Sequence, residues 1–416
     1  MNMSRQAQAT SPLPAFSTST RHDDLCWSVV SSRARVQAME AWKELETRLR
    51  LRGDVAVPLA CSVAWVQPWL TTYGAAVPHE FLVARRNGIT VGIALMTFGV
   101  GQKEGPIRVR TRHLGTAGER PGESACVEYN GILIEPECRG TFEEALVSHI
   151  LGDKSWESFC LDGFPLEDAQ RMLQDIPGAT LRVRDSHYHD LRETREQGGD
   201  VIDRLGRSTR QNLRRQLRSL GEVDVEWAES ESEAMSIFDE LVTLHQARWM
   251  SAGEKGAFAS PRFLAFQKSL MEEAFASNTV HPSYGQLGDI RRSVVLVRVR
   301  RCSETIGCLM LLVDGNRMLD YLSGFAPFTD KMSPGVITHV LAMQEGVRRG
   351  FDAYDFLVGE KRHKSNLSTH SHSLVWAKWS RPSLKNGMID FFRNLKQRVR
   401  DFRQPQATTH PVGPAR

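Results

Sequence analysis

No Cys-x-x-Cys pair occurs, and the seven cysteines, Cys26, Cys61, Cys126, Cys138, Cys160, Cys302 and Cys308, are scattered and odd in number. That distribution fits the reduced thiols of a cytoplasmic protein better than a disulfide framework. No apolar run reaches the roughly 18 residues that a membrane span needs. The opening stretch "MNMSRQAQATSPLPAFSTST" has no apolar signal core. It is polar and rich in Ser, Thr and Pro, so a disordered lead-in is expected over residues 1–24. Charge of one sign is scarce as well. Lys and Arg number 53 against 49 Asp and Glu, a net +4, which on 416 residues does not by itself imply nucleic acid. The remaining composition, 41% hydrophobic and 25% charged, is that of a globular chain long enough for two or three domains.

Order is expected from about Leu25. Between Arg33 and Leu51, the residues Val36, Met39, Trp42, Leu45 and Leu49 recur at three- and four-residue steps, which predicts an amphipathic helix. "FLVARRNGITVGIALM" reads as a hairpin, because Asn87-Gly88 between two apolar runs is a strong turn signal. "ACVEYNGILIEP" reads as a strand, "TFEEALVSHIL" as a helix and "FCLDGF" as a short buried strand.

About 200 residues later the same order returns. "VVLVRVRRCSETIGCLMLLV" is a hairpin, "RMLDYLSGFAP" a strand, "SPGVITHVLAMQEGVRRG" a helix and "YDFLVG" a short buried strand. Details match too. "VGIALM" at Val91 parallels "IGCLML" at Ile306. Glu128-Tyr129, Gly131 and Pro136 parallel Asp320-Tyr321, Gly324 and Pro327. Arg139-Gly140 parallels Pro334-Gly335, and "LDGF" at Leu161 parallels "YDFL" at Tyr354. We read an internal duplication of one β-β-β-α-β unit, the plainer alternative being two unrelated α/β halves. The expected units are a first domain over 25–200, a second over 201–380 and a basic tail over 381–416. Between the domains "STRQNLRRQLRSLG" reads as a helix with Ser208 as N-cap and Gly221 as C-cap. A second helix is expected from Glu233 to about Gly253.

The helix after "DYLSGFAP" has a sharply defined start. Ser333 can cap it, Pro334 fills the first turn without wasting an N–H, and Gly335 leaves the backbone open. The unpaired N–H groups of that turn, at the positive end of the helix dipole, form a ready anion site, with Lys331 close by in sequence. The flanking strands are natural parallel neighbours across a right-handed crossover, and ligands bind beyond the carboxyl ends of such strands. Read alone, Ser-Pro-Gly could equally cap a purely structural helix.

This arrangement is similar to the GNAT superfamily of acyl-CoA-dependent acyltransferases. More closely, the chain resembles the CelD-type acetyltransferases associated with cellulose and exopolysaccharide synthesis, built from two tandem GNAT folds. "LHQARW" at Leu244–Trp249, "YLSGF" at Tyr321–Phe325, "SPG" at Ser333–Gly335, "YDFLVGE" and Lys364 after it carry the resemblance, which covers roughly Leu25 to Arg381. The chain departs from ordinary GNAT enzymes in lacking the Gln/Arg-x-x-Gly-x-Gly loop; Ser-Pro-Gly stands in its place. The resemblance implies an α/β fold of two tandem GNAT-like domains with mixed sheets flanked by helices. It also implies acyl transfer, acetyl transfer first, from acyl-CoA to an amine or hydroxyl of a small or sugar-like acceptor. Lys331, Ser333, Pro334 and Gly335 would hold the acyl-CoA. The first domain would be structural or hold the acceptor.

Acyl transfer to an amine needs a base, a donor to the thioester carbonyl and a proton for the leaving thiolate. His245 lies mid-helix with Arg248 and Trp249 on its face, so it is a candidate base beside two acceptor-binding residues; the plainer reading is a helix His packed on Trp249. Asp355, in a buried strand, could orient His245 or the acceptor, or pair with Lys364 or Arg362. Its counterpart Asp162 suggests a role in the shared fold. Tyr321 is a candidate general acid, though strand aromatics are more often core. Lys364 is a candidate substrate contact. His363, His370 and His372 in "RHKSNLSTHSH" do not fit a zinc spacing, and surface loop positions are expected with no metal.

Six arginines and no acid occupy Arg204 to Arg218, either a solvated face or a clamp for an anionic acceptor or RNA. Fem-type peptidyltransferases share the tandem architecture and use aminoacyl-tRNA, but no sustained heptad insertion for their helical arm is visible. A non-catalytic binding protein with a decayed site is a third reading. In the tail "SLKNGMIDFFRNLKQRVRDFR", Met388, Phe392, Leu395, Val399 and Phe402 share one face with basic residues around it. Such a helix can lie weakly on an anionic membrane or pack on the second domain.

Overall fold

The computed structural model describes residues 17–22, 25–174, 176–276, 292–327, 332–389 and 391–393. A mixed sheet of fourteen strands runs through them. Thirteen follow one path. In chain order they are β1 (Ser17–His22), β2 (Leu25–Ser31), β3 (His79–Arg86), β4 (Ile89–Phe98), β5 (Thr111–Leu114), β6 (Ser158–Pro165), β7 (Thr180–Asp190), β8 (Asp224–Trp227), β9 (Val294–Arg301), β10 (Glu304–Asp314), β11 (Arg317–Phe325), β12 (Ala353–Val358) and β13 (His370–Ser380). Across the sheet they lie in the order β1-β2-β3-β4-β5-β6-β13-β7-β12-β11-β10-β9-β8, and Leu133–Ile134 pairs with β4 off this path. The helices are α1 (Arg35–Arg52), α2 (Val63–Tyr73), α3 (Arg139–Gly152), α4 (Leu166–Leu173), α5 (Leu191–Glu196), α6 (Arg207–Leu220), α7 (Glu231–Ser251), α8 (Pro261–Ala276), α9 (Pro334–Arg348) and α10 (Arg362–Leu367).

Two copies of one unit make this sheet. The first runs β2-α1-α2-β3-β4-β5-α3-β6-α4-β7, the second β8-α7-α8-β9-β10-β11-α9-β12-α10-β13. β5 is parallel to β6, and β11 to β12. Each unit hands its last strand to the other. β13 pairs with β6 of the first unit, β7 pairs with β12 of the second, and β7 and β13 pair with each other. Helices α1, α2, α7 and α8 share one core on one face of the sheet, with Trp42, Trp65, Trp69, Phe238 and Phe266 buried in it. On the opposite face Phe142, Trp156 and Phe164 fill the core of the first unit, and Val340, Met343, Tyr354 and Phe356 that of the second. Each such aromatic contributes about 1.5–3 kcal/mol of apolar burial.

The hairpins, α3, α9 and the buried strands β6 and β12 lie where periodicity predicts them. The stretch from Ala125 does not. Gly92 pairs with Ile134 as Gly307 pairs with Phe325, and Met96 pairs with Leu114 as Leu311 pairs with Asp320. Leu114 to Leu133 spans 19 positions where Asp320 to Gly324 spans 4, so about fifteen residues are inserted into the central strand of the first unit. Glu128 and Tyr129 are therefore not the counterparts of Asp320 and Tyr321. They belong to the insertion, in which Cys126 and Tyr129 adopt left-handed φ of 52° and 55° that no strand can hold.

Other expectations change in smaller ways. α6 begins at Arg207 after an extended Gly206, so Ser208 lies inside the helix. His363 lies on α10 and not in a loop, while His370 and His372 are exposed on β13. The tail docks on the first unit, not the second, through Lys385 to Glu157 at 2.8 Å and Arg393 to Glu104 at 3.1 Å. Met388 and Phe392 are exposed, and Leu395, Val399 and Phe402 lie outside the described residues. Among the described residues no helix is long and apolar enough to cross a membrane.

Candidate active site

β11 and β12 are paired only from Arg317–Ala353 to Leu319–Asp355. β11 then continues to Phe325 bonded to β10 alone, and β12 continues to Val358 on the β7 side. The two strands thus fork. The register slip opposite Met310 puts an extra residue into β11 at Tyr321, and such a bulge re-aims the side chains that follow.

One wall of the fork is α9. Ser333 precedes it but makes no side-chain cap; its N–H donates to Gln216 Oε1 at 2.8 Å. Pro334 is buried at the first position. Among the described residues the N–H groups of Gly335 and Val336 find no acceptor, as at the first turn of any uncapped helix. A Cβ on Gly335 would lie 3.1 Å from the Phe325 ring, so the open backbone also serves close packing on β11. Lys331 lies outside the described residues.

Deeper in the fork, His339 of α9 is buried. Its Nδ1 lies 2.9 Å from Tyr354 Oη and its Nε2 3.7 Å from Asp320 Oδ2. Burial pushes its imidazole down to about 3, helped by Lys364 and Lys361. Burial raises the Asp320 carboxyl to about 6, against the pull of Lys364, His363 and Lys361. The His363 ring stacks on His339 with centroids 5.7 Å apart. Lys364 Nζ donates to the carbonyls of Phe356, Leu357 and Val358, at 2.5, 3.2 and 3.2 Å, and so caps the free end of β12.

α7 covers the other face. A Cβ on Gly324 would lie 2.5 Å from the Leu241 carbonyl oxygen, so this helix sits directly on the open stretch of β11. His245 is buried there. Its Nε2 accepts the Trp249 indole N–H at 3.0 Å, its Nδ1 lies 3.3 Å from Gln246 Oε1, and its ring packs edge-on to Phe258. Burial lowers its basicity, and Arg248 and Lys361 lower it further. Both ring nitrogens are engaged, and no hydrogen bond joins His245 to Asp355.

Asp355 is fully buried on β12. It accepts from Tyr129 Oη at 2.5 Å, Ser186 Oγ at 2.7 Å and Leu357 N at 2.8 Å, and Arg317 stands 3.7 Å away. The bond to Leu357 N holds Leu357 at a φ of 57°. Tyr321 is half-buried, its hydroxyl donates to the Ala125 carbonyl at 2.7 Å, and loss of water around that hydroxyl raises its phenol well above the usual range. Of the residues expected to meet the acceptor, Trp249 is bonded to His245 and Lys364 to the end of β12; Asp320, His339 and Glu128 carry no local pattern that marks them as site residues.

The corresponding fork of the first unit is plugged. Asn130 donates from Nδ2 to the Leu114 carbonyl and from its backbone N–H to Gly163, and a Cβ on Gly115 would overlap the Asn130 amide. A cavity of about 880 Å³ opens at the other end of β11 and β12, between the units, lined by Tyr129, Tyr188, Arg192, Arg317 and Asp352 among others. Two of its arginines are matched by carboxylates, Arg192 to Asp352 and Arg317 to Asp314, whereas the fork offers, among the described residues, unpaired backbone donors. Among the described residues Asp190, Glu193 and His370 have ligand atoms within 4.8 Å of one another, but Asp190 Oδ1 already accepts from Glu193 N.

Residues 207–365, from α6 into α10, match the acetyltransferase (GNAT) domain model. That match spans the forked pair β11 and β12 and the helix α9 at its mouth, all in the second unit. Among solved structures the chain is similar to FemX, at 10% identity and a TM-score of 0.50, covering 80% of this chain and 95% of that one. It is also similar to a tandem GNAT protein from the clavulanic acid biosynthesis pathway, at 10% identity and a TM-score of 0.42, covering 86% and 99%. No curated protein matches the chain in sequence.

Proposed function

We propose that the second unit transfers an acyl group, acetyl first, from acyl-CoA to an amine or hydroxyl of a small or sugar-like acceptor. The observation that carries this reading is the fork of β11 and β12 with the uncapped start of α9 at its mouth. A thioester donor needs a backbone edge to lie along and a site for its pyrophosphate. The open edge of β11 and the free N–H groups of Gly335 and Val336 meet both needs. Lys331 and Ser333 would add to the phosphate site, and Pro334 keeps the first turn open. Lys364, Arg248 and Trp249 would meet the acceptor, which enters between α7 and β12. The resemblance to CelD-type enzymes favours a saccharide acceptor in exopolysaccharide assembly, a cytoplasmic reaction. A calorimetric isotherm for acetyl-CoA and longer acyl-CoAs on the pure protein tests the proposal. Saturable binding of one of them is expected. Binding of none, with tight binding of aminoacyl-tRNA, would replace this reading with a Fem-like one. Binding of neither would leave a non-catalytic fold.

A further inference from the structure

Among the described residues five non-glycine positions have left-handed φ. Two, Asn87 and Cys302, sit at the tips of the hairpins β3-β4 and β9-β10, where such backbone is ordinary. The other three, Cys126, Tyr129 and Leu357, meet at one place. Leu357 is the last residue but one of β12 at the fork of the second unit, and Cys126 and Tyr129 flank Glu128 on the insertion of the first. Strained backbone of this kind costs on the order of 1–3 kcal/mol per residue and persists where the surroundings hold it for a purpose.

What holds the insertion is plain. Trp65 and Trp69 of α2 donate to Thr116 and Glu119, Tyr73 donates to the Glu123 carbonyl, and Tyr321 and Tyr129 fasten its far end. The result delivers Glu128 to the end of β12. Glu128 Oε2 accepts the Val358 N–H at 2.9 Å, while Lys364 takes the Val358 carbonyl from the other side. No cation closes on Glu128 within ion-pair distance among the described residues. The residue borders a void of about 20 Å³ whose other walls include Leu319, Tyr321 and Leu357, the residues where the strands part.

We propose that Glu128, supplied by the first unit, is the general base of the second unit's fork. This rests on the acyl-transfer reading above. An ammonium acceptor gives one proton to the Glu128 carboxylate, and the freed lone pair forms a C–N bond to the thioester carbonyl. The C–S bond breaks with its electron pair on sulfur. The second nitrogen proton passes to that sulfur, which leaves an amide and a thiol, and Glu128 returns its proton to water. Burial raises Glu128 to about 7, tempered by the Val358 N–H, Lys364 and Arg184 and reinforced by Asp355, so it changes charge where a base is useful. The plugged first fork then has a reason. The first unit has given up its own site to complete its partner's.

The test is Glu128→Gln, which keeps an acceptor for Val358 N–H. Acetyl-CoA affinity is measured by calorimetry, and CoA release is followed with spermidine, glucosamine and lysine, and with water alone. The expected variant binds acetyl-CoA and melts like the wild type, releases CoA roughly 100-fold more slowly, and loses the rise in rate through about pH 7. Glu128→Asp recovers part of the rate. A Glu128→Gln protein with the wild-type rate and pH profile overturns the assignment while the acyl-transfer reading stands. A wild type that binds no acetyl-CoA overturns that reading and the assignment with it.

Discussion

Tyr129 Oη donates to Asp355 Oδ2 at 2.5 Å, joining the insertion of the first unit to the strand that closes the fork of the second. The same carboxylate holds Ser186 of β7 and the Leu357 N–H. One buried group thus ties together an inserted loop, an exchanged strand and a strained strand end. This explains a carboxylate in a buried strand without calling on catalysis.

Asp355→Ala is expected to destabilise the protein by about 3–5 kcal/mol, because three buried donors lose their acceptor. Tyr129→Phe should cost about 1.5–3 kcal/mol, one hydrogen bond to a charged group. Urea unfolding measures both. An Asp355→Ala protein as stable as the wild type would show that the knot does not hold the seam.

The contact of α7 with Gly324 predicts a steric effect. Gly324→Ala places a methyl 2.5 Å from the Leu241 oxygen and 2.9 Å from Leu244 Cβ, and should cost about 1–3 kcal/mol. Gly140→Ala, where nothing lies within 4 Å, is the control. Equal melting temperatures for the two variants would contradict the close approach.

At the start of α9 two substitutions separate packing from binding. Gly335→Ala must shift the Phe325 ring by a few tenths of an ångström, which a ring at the mouth of a fork can do, and should leave acetyl-CoA affinity within about threefold. Gly335→Glu puts a carboxylate where the pyrophosphate would lie and should abolish saturable binding in a calorimetric titration. Equal affinities for the two variants would remove α9 as the phosphate site.

His245, with both ring nitrogens engaged, is expected to hold Trp249 in place rather than to carry the proton. His245→Gln should then raise KM for the acceptor and leave the pH dependence of kcat as it is. If the variant instead loses an ionisation from the pH profile, His245 is the base and Glu128 is not.

His339 gives a stability prediction. Its folded pKa, about 3, lies below the unfolded value near 6.5, so between these limits the unfolded chain binds the extra proton. Stability from this site is therefore complete above pH 6.5 and is lost as pH falls towards 3, by up to about 1.4 kcal/mol per pH unit. Asp320 acts in the opposite sense: raised to about 6, it binds the proton when folded, and its contribution weakens as pH rises from about 4 to 6. His339→Gln should flatten the acid side of a melting-temperature profile. An unchanged slope between pH 4 and 6.5 would mean that the imidazole is not the group that senses acid.

The sequence by itself determined the elements whose cause is local. Alternating apolar residues on both sides of Asn87-Gly88 make β3 and β4, because a two-residue turn sets their register. Pro334-Gly335 starts α9, and the second copy of "VGIALM" discloses the duplication, whereas "LDGF" and "YDFL" are offset by one residue, since Leu161 and not Asp162 takes the place of Asp355. The tertiary structure alone decided the rest. Which strand lies beside β12 depends on β7, some 170 residues away, and no periodicity carries that pairing. The insertion alternates like a strand at "ACVEY", and its anchors on α2, β11 and β12 accompany the left-handed backbone of Cys126 and Tyr129. The same holds for the candidate base. Glu128 and Asp320 look alike in the sequence, as the acids of two matching dipeptides. Burial raises both, and only the fold separates them: Glu128 arrives on the insertion of the first unit and accepts the Val358 N–H, while Asp320 faces His339 within the second.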